Sequence, residues 1–406
     1  MNFLFAWRYF RSKKSTNAIN IIAWISVLAI MVGTASFIVV LSVYNGFEDL
    51  VKSLYASFYT DLKVVPVKGK TIIFTPEELA KIKTVPGVNA YSLNVEEKAL
   101  MRNGDWQSLV YLKGVDSDYT KVTSVKQHVR HGSYETGTAD KPVAVLGIGI
   151  ENALALEAEK ALLPLTVYLP KKGINIDASD PMQSLVADNV STSGSFAIQE
   201  DFDNKYVITN IGFMQRMLNL QPDEYSSAEI SLNAGADPDK VKHNLKTALG
   251  NKIDVITRYE QNKTFFSAMQ LEKWIIYGVL SLILTVAAFT MIGALTMLVL
   301  EKQKDIQILK ALGTTDVKVQ GIFLSEGLLL ACVGGVGGVL LAVIICWAQE
   351  KFKIIALEGG SFVIDHYPVK LYASDVLLVL FTVIIVALLA SWFPSRKASL
   401  QPIELR

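Results

Sequence analysis

Residues able to do chemistry are few in this chain and stand far apart. Of the histidines His128, His131, His243 and His366, one pair lies three residues apart, and no Cys, Asp and Glu cluster of metal-site type surrounds it. Gly69-Lys70-Thr71 repeats the end of a phosphate-binding loop, but Val64 stands where the first glycine must turn the backbone, so ATP hydrolysis by this chain is not predicted. Gly147-Ile148-Gly149 lacks the third glycine of a dinucleotide fingerprint, and no Gly-x-Ser-x-Gly elbow occurs. The sequence thus predicts no catalytic residue, bound cofactor or metal ligand. Glu326, a carboxylate inside an apolar stretch, either couples movement to protonation or pairs near the interface with a neighbouring helix or basic loop.

The elements that carry these residues belong to a membrane protein. Apolar segments at about 18–45, 271–300, 319–347 and 374–393 qualify as spans. At about 1.5 Å per residue, Trp274 to Leu300 reaches about 40 Å, beyond the roughly 30 Å hydrocarbon core. Lipid offers no backbone partners, so all must be helices. Arg8, Arg11, Lys13 and Lys14 precede the first span, and Arg396 and Lys397 follow the last, which predicts cytoplasmic termini. The first apolar run, about 25 residues long, exceeds a signal-peptide core and is expected to be retained. Cys332 and Cys346 fall in the third span about 21 Å apart, too far to bridge. The net charge of +1 implies no nucleic-acid partner. Glycines Gly334 and Gly338 form a small-x-x-x-small pair suited to close helix packing.

Outside the spans, residues 1–17 are expected to form an interfacial helix, with Phe3, Trp7 and Phe10 on one face and Arg8 and Arg11 on another. Residues 46–270 are predicted as an external mixed α/β domain of two lobes, about 60–160 and 161–258. Leu62 to Val67 alternates like a strand, Pro76 to Lys83 starts as a helix, Asn103-Gly104 signals a hairpin, and Ile211 to Leu218 reads as helical. Lys171 to Asn189 is polar and aperiodic, a long loop that is either mobile or functional. A short external loop, 348–373, joins the last two spans, and a tail follows at 394–406.

The second span runs directly into a charged amphipathic segment, 301–316. Ile306, Leu309 and Leu312 recur at three-residue spacing with Ile308 beside them, a surface suited to being held by another protein. A membrane-tethered sensor is an alternative reading, and would need an intracellular signalling domain.

Several motifs together carry a resemblance: Val40-Leu41-Ser42-Val43-Tyr44-Asn45-Gly46-Phe47-Glu48, Leu271-Glu272-Lys273, Val286-Ala287-Ala288-Phe289, Glu301-Lys302-Gln303, Ala311-Leu312-Gly313, Pro394-Ser395-Arg396-Lys397-Ala398 and Pro402-Ile403-Glu404-Leu405-Arg406. From end to end the chain resembles the permease subunits of the lipoprotein-releasing ABC complex of Gram-negative bacteria. Tyr44 departs from it, since relatives often carry Met there. The wider superfamily includes macrolide-exporter and cell-division permeases, so a mechanotransmitting role, on a cell-wall hydrolase or in a drug or peptide exporter, is the alternative. The resemblance implies an inner-membrane location and an α+β membrane protein: four transmembrane helices, a large mixed α/β periplasmic domain between the first and second, and a cytoplasmic coupling helix between the second and third. It implies no cofactor on this chain, with ATP and Mg held by a partner ABC ATPase dimer that docks on Glu301, Lys302, Asp305, Ile306, Leu309, Lys310, Leu312 and Gly313. Further implied partners are a second permease subunit (the same chain or a paralogue), membrane lipid, a triacylated lipoprotein and a periplasmic carrier. A lipid cavity would be walled by Tyr44, Phe47, Trp274, Ile275, Tyr277 and Gly278, and a hook for the carrier would include Pro181, Met182 and Leu185.

Overall fold

A computed structural model describes residues 17–161, 163–171, 184–356 and 366–401. The interfacial helix expected at 1–17 falls, apart from Asn17, outside the described residues, as do Pro181 and Met182 of the expected hook. The chain divides into two compact units: residues up to Leu50 together with those from Ser267 onward, and Val51–Phe266 between them.

Helix α1 (Asn17–Phe58) opens the described chain and runs well past residue 45, because Val51, Leu54, Tyr55 and Phe58 continue an apolar stripe at three- and four-residue spacing. Twelve strands follow within Val51–Phe266: β1 (Leu62–Pro66), β2 (Ile72–Ile73), β3 (Val88–Asn103), β4 (Trp106–Val115), β5 (Val129–Gly132), β6 (Val143–Gly147), β7 (Leu165–Pro170), β8 (Leu185–Phe196), β9 (Tyr206–Asn210), β10 (Glu224–Tyr225), β11 (Ser227–Leu232) and β12 (Ile253–Thr257). Among them lie helices α2 (Pro76–Thr84), α3 (Ile211–Met217) and α4 (Pro238–Leu249). Helix α2 starts at a capping box, in which Thr75 and Glu78 satisfy each other's backbone N–H groups, with Pro76 in its first turn.

Strand β3 organises this unit. Its first half pairs with β11, its second half with β4, and Leu100–Arg102 also pair with β7. Pairings from β3 through β4, β9, β6, β8 and β7 return to β3, closing a ring. Each of these strands contributes to one apolar core, including Val95, Met101, Leu112, Leu146, Val167, Val190 and Val207. A second core, with Leu62, Val64, Ile82, Ile230, Leu245 and Val255, lies where β1, β11 and β12 meet α2 and α4. The lobes therefore do not follow one another with a boundary near residue 160. The chain enters one, builds the whole of the other from its middle, and returns, because antiparallel β1, β11 and β12 must lie side by side to bury their shared apolar face.

The aperiodic segment is shorter than the sequence suggests. Leu185–Asn189 are strand, held in register against Thr166–Pro170 by the β7–β8 ladder. At the buried heart of the sheet, Lys113 and Glu229, each 2 % exposed, pair at 2.7 Å, and the ammonium lies 5.0 and 4.9 Å from the ring centres of Phe58 and Tyr119.

The other unit is built from α5 (Lys263–Glu301), α6 (Gln303–Ala311), α7 (Asp316–Phe352) and α8 (Ala373–Ser399), together with the greater part of α1. By length and composition α1, α5, α7 and α8 can each cross a membrane. Helix α8 continues through Pro394 to Ser399, six residues beyond the expected end of the span, with Ala398 buried against Val299, Ile306, Val319 and Phe323. Glycines set the closest approach: a Cβ at Gly334 or Gly338 would come within 2.9 Å of the Val27 carbonyl oxygen or 2.7 Å of that of Met31, so α7 and α1 touch through backbone.

Asp203 gives the α/β unit a pH dependence. Burial lifts its carboxyl to about 6, although the Ile198 N–H donates to it at 2.9 Å. Its folded pKa lies above the unfolded value of about 3.9, so the folded state holds the extra proton and stability from this group falls as pH rises from about 4 to 6. Asp203→Asn keeps an oxygen to accept from Ile198 and should raise the thermal midpoint of this unit over the parent's above about pH 6 but not below about pH 4. Near-ultraviolet circular dichroism melts at the two extremes check this.

Candidate functional site

Ser42, Asn45, Gly46 and Asp49 recur at three- and four-residue spacing and so share one face of α1. That face receives the segment before α8. The Ser42 carbonyl accepts from the Lys370 N–H at 2.9 Å, and Tyr372 donates its hydroxyl to Asp49 at 2.9 and 3.0 Å, where the Lys370 ammonium also pairs. Gly46 is required here by contact, since a Cβ would run into the Pro368 carbonyl. Asn45, fully buried, is the hub: its amide donates to Asp375 at 2.7 Å and to the Lys370 carbonyl at 3.4 Å, and its oxygen accepts from Lys273 at 2.8 Å. Lys273 in turn lies 3.5 Å from Asp375 and 4.0 Å from Glu48. One amide thereby joins α1, α5 and α8, using both faces of its hydrogen-bonding capacity.

The six expected cavity residues divide around this hub. Trp274 and Ile275 are 59 % and 57 % exposed and Gly278 faces open space, continuing into an exposed apolar stripe of α5 with Val279, Leu282, Ile283, Val286 and Phe289. Tyr277 turns the other way, packing against Phe37 with ring centres 5.2 Å apart and bonding its hydroxyl to Thr382. Tyr44 donates to the Met269 carbonyl, and Phe47 sits edge-on against Tyr367. Tyr277 is therefore a packing residue between helices, because its hydroxyl needs a partner in an apolar bundle.

The amphipathic segment is a separate helix. Helix α5 ends at Glu301, Lys302 breaks the run and reaches toward Asp305 at 3.7 Å, and α6 ends before Leu312 and Gly313, whose φ of +90° suits glycine. Its expected partner face needs correction. Ile306 is 2 % exposed and buried against Val299, Val319 and Phe323, because α6 must cover the ends of the spans. Leu309 is half-buried. Lys310 is also turned inward, donating to the carbonyls of Ser399 and Gln401 and pairing with Asp316 at 2.8 Å, so it caps the end of α8. The exposed apolar side chains are Ile308, Leu312 and Val317, at 59 %, 79 % and 77 %. Of the three residues at three-residue spacing, Ile306 faces inward, Leu309 is intermediate and Leu312 faces outward.

The remaining candidates are separated. His128 bonds the Ser124 carbonyl at 2.9 Å, and His131 contacts Glu151 and Ser195, each at 3.3 Å through the same ring nitrogen, which is not the relay geometry of a nucleophile triad. Lys70 pairs with Glu97 and Thr71 donates to Glu224. Leu185 opens β8 at the base of the β7–β8 hairpin. The Glu326 side chain is buried in α7, with one carboxyl oxygen that makes no hydrogen bond. Asn45, Lys273 and Asp375 were missed as a group; the signal was ionisable residues at the ends of two separate spans.

Four apolar helices with a mixed α/β domain inserted after the first define a membrane permease architecture, and sequence comparison places it. Residues 23–248, over half of the chain, match the family model of the MacB-like periplasmic core domain, and the chain belongs to that family. Residues 277–403 match the FtsX-like permease C-terminal model. Among curated relatives, the lipoprotein-releasing system transmembrane protein LolE of Haemophilus influenzae is 27 % identical, with 99 % of this chain and 98 % of the relative covered. The transmembrane protein LolC of the same system is 26 % identical in Neisseria meningitidis, covering 98 % of both chains, and 24 % identical in Xylella fastidiosa, covering 98 % and 96 %.

The hub sets up a paired test. Gly46→Ala should cost about 1–3 kcal/mol through overpacking against Pro368, whereas Gly278→Ala, which meets open space, should be near neutral. Thermal unfolding of the detergent-solubilised chain by intrinsic fluorescence distinguishes the two.

Proposed function

We propose that this chain is the membrane permease subunit of an ABC complex that extracts lipoproteins from the outer leaflet of the inner membrane and passes them to a periplasmic carrier. The observation that carries this reading is the near-complete, end-to-end correspondence with lipoprotein-releasing transmembrane proteins. Basic residues flanking the spans support a reading with both termini in the cytoplasm and the α/β unit in the periplasm. Helix α6 then lies on the cytoplasmic side, where Ile308, Leu312 and Val317 form the apolar contact for a separate ATPase that binds ATP and Mg.

The exposed stripe of α5 supplies an apolar wall for acyl chains. Each buried methylene contributes about 0.8 kcal/mol, so a triacylated protein leaves the bilayer extremely slowly unless work is done on it. Trp274 and Ile275 receive the chains at the outer end of the stripe, and a second permease subunit closes the other side. Leu185, which opens β8 opposite Pro170 of β7, is the described part of the expected contact for the carrier.

ATP- and carrier-dependent release of a labelled triacylated lipoprotein from proteoliposomes tests the reading directly; absence of release with an intact complex would overturn it. Joint Ile308→Asp and Leu312→Asp substitution should abolish copurification of the ATPase with the chain still inserted, whereas Ile306→Asp should reduce the amount of folded chain. A photocrosslinker at Trp274 or Ile275 should capture acylated lipoprotein, and one at Tyr277 should capture the neighbouring helices of the same chain instead.

A further inference from the structure

The helices of the membrane unit are not held together equally. Helix α7 meets α1 through backbone at Gly334 and Gly338, and meets α8 where a Cβ at Gly327 would run into Ser391. Such glycine-mediated contacts leave no room for one helix to slide past another. Helix α5 is different. Only 17 % of its most apolar stretch is buried, against 50 % in α1, 39 % in α7 and 28 % in α8. Where α1 offers it a glycine, Gly33, the nearest atoms to a Cβ would be Leu284 at 3.4 Å and Ala287 at 4.0 Å, ordinary van der Waals distances. Further in, Leu284, Ala288, Met291 and Leu295 join the shared apolar core, and the outer end is held by polar contacts: Lys273 on Asn45, Asp375 and Glu48, the Met269 carbonyl on Tyr44, and Tyr277 on Thr382.

We propose that Lys273 is a positioning latch that fixes the resting place of α5 against a rigid block of α1, α7 and α8, and that its release lets α5 move away to admit acyl chains. The use made of that movement rests on the lipoprotein-releasing function proposed above. The chemistry suits a latch. One ammonium bridges two carboxylates, Asp375 at 3.5 Å and Glu48 at 4.0 Å, and the Asn45 oxygen, so a single side chain of α5 carries three contacts to the block. Asn45 and Asp375, bonded to each other at 2.7 Å, both belong to the block. The side chains of Lys273, Asp375 and Glu48 are 31 %, 20 % and 22 % exposed, so the ion pairs can exchange with water, while the buried Asn45 oxygen, which must find another donor when Lys273 leaves, favours the seated state.

The test measures the position of α5 directly. With Cys332 and Cys346 replaced by alanine, spin labels are placed on the full chain in nanodiscs at Ile275→Cys on α5 and Leu377→Cys on α8, both on exposed faces. Pulsed dipolar spectroscopy should give one narrow distance population for the parent. Lys273→Met should raise the displaced population about threefold, the shift expected on losing a partly exposed ion pair, and Lys273→Arg should restore the parent distribution. In the complex, Lys273→Met should raise the ATP hydrolysed per lipoprotein released, with Lys273→Arg again near the parent. An unchanged distribution in Lys273→Met, or one equally displaced in Lys273→Arg, would overturn the latch. If the distances shift as expected but the parent complex itself releases no lipoprotein, the latch stands and the proposed cargo falls.

Discussion

An amide buried at the end of a membrane bundle has no solvent to fall back on, and Asn45 satisfies itself wholly from its own chain. Leaving any of its polar atoms unmatched at such a site would cost more than the bond itself contributes. The requirement determines its surroundings. Asp375 must open α8 at the matching level, Lys273 must arrive from α5, and position 46 must carry no side chain so that the segment through Pro368 can come close. The motif Ser42-Val43-Tyr44-Asn45-Gly46 is thus one structural statement, in which each polar or small residue serves the same junction.

Around that junction the unit combines two kinds of contact. Glycine seams between α7 and its neighbours give a block whose spacing is set by backbone, while α5 leans on the block through side chains and leaves its apolar stripe uncovered. A permease that must present a greasy surface to a ligand and also transmit motion needs both. At the other end of the unit, α6 is pinned by Ile306 and Lys310, so a force applied to its outer face reaches α5, α7 and α8 through the cluster of Val299, Val319, Phe323 and Ala398.

The spans were legible in the sequence because lipid allows only helices, and the hairpin at Asn103-Gly104 because Gly104 takes the positive φ that the turn requires. The direction in which α6 faces was not. Ile306 and Ile308 are equally apolar, and which of them is buried depends on where α7 and α8 end, a fact that local periodicity does not contain. The hub was hidden for a related reason: Asn45, Lys273 and Asp375 are hundreds of residues apart and each alone reads as an ordinary boundary residue. Strand Leu185–Asn189 was illegible because its partner, not its own composition, makes it a strand.

The sixteen-residue strand β3 serves one core with its first half and another with its second, and the chain that leaves the first core at Asn94 re-enters it only at Ser227. The ring lobe is therefore an insertion, with both its ends hydrogen-bonded side by side. For recombination between relatives this means that a single crossover anywhere in the α/β unit mixes the cores, whereas a double exchange at these adjoining positions moves the ring lobe whole. Lineages could then replace the ring lobe while inheriting the membrane unit intact.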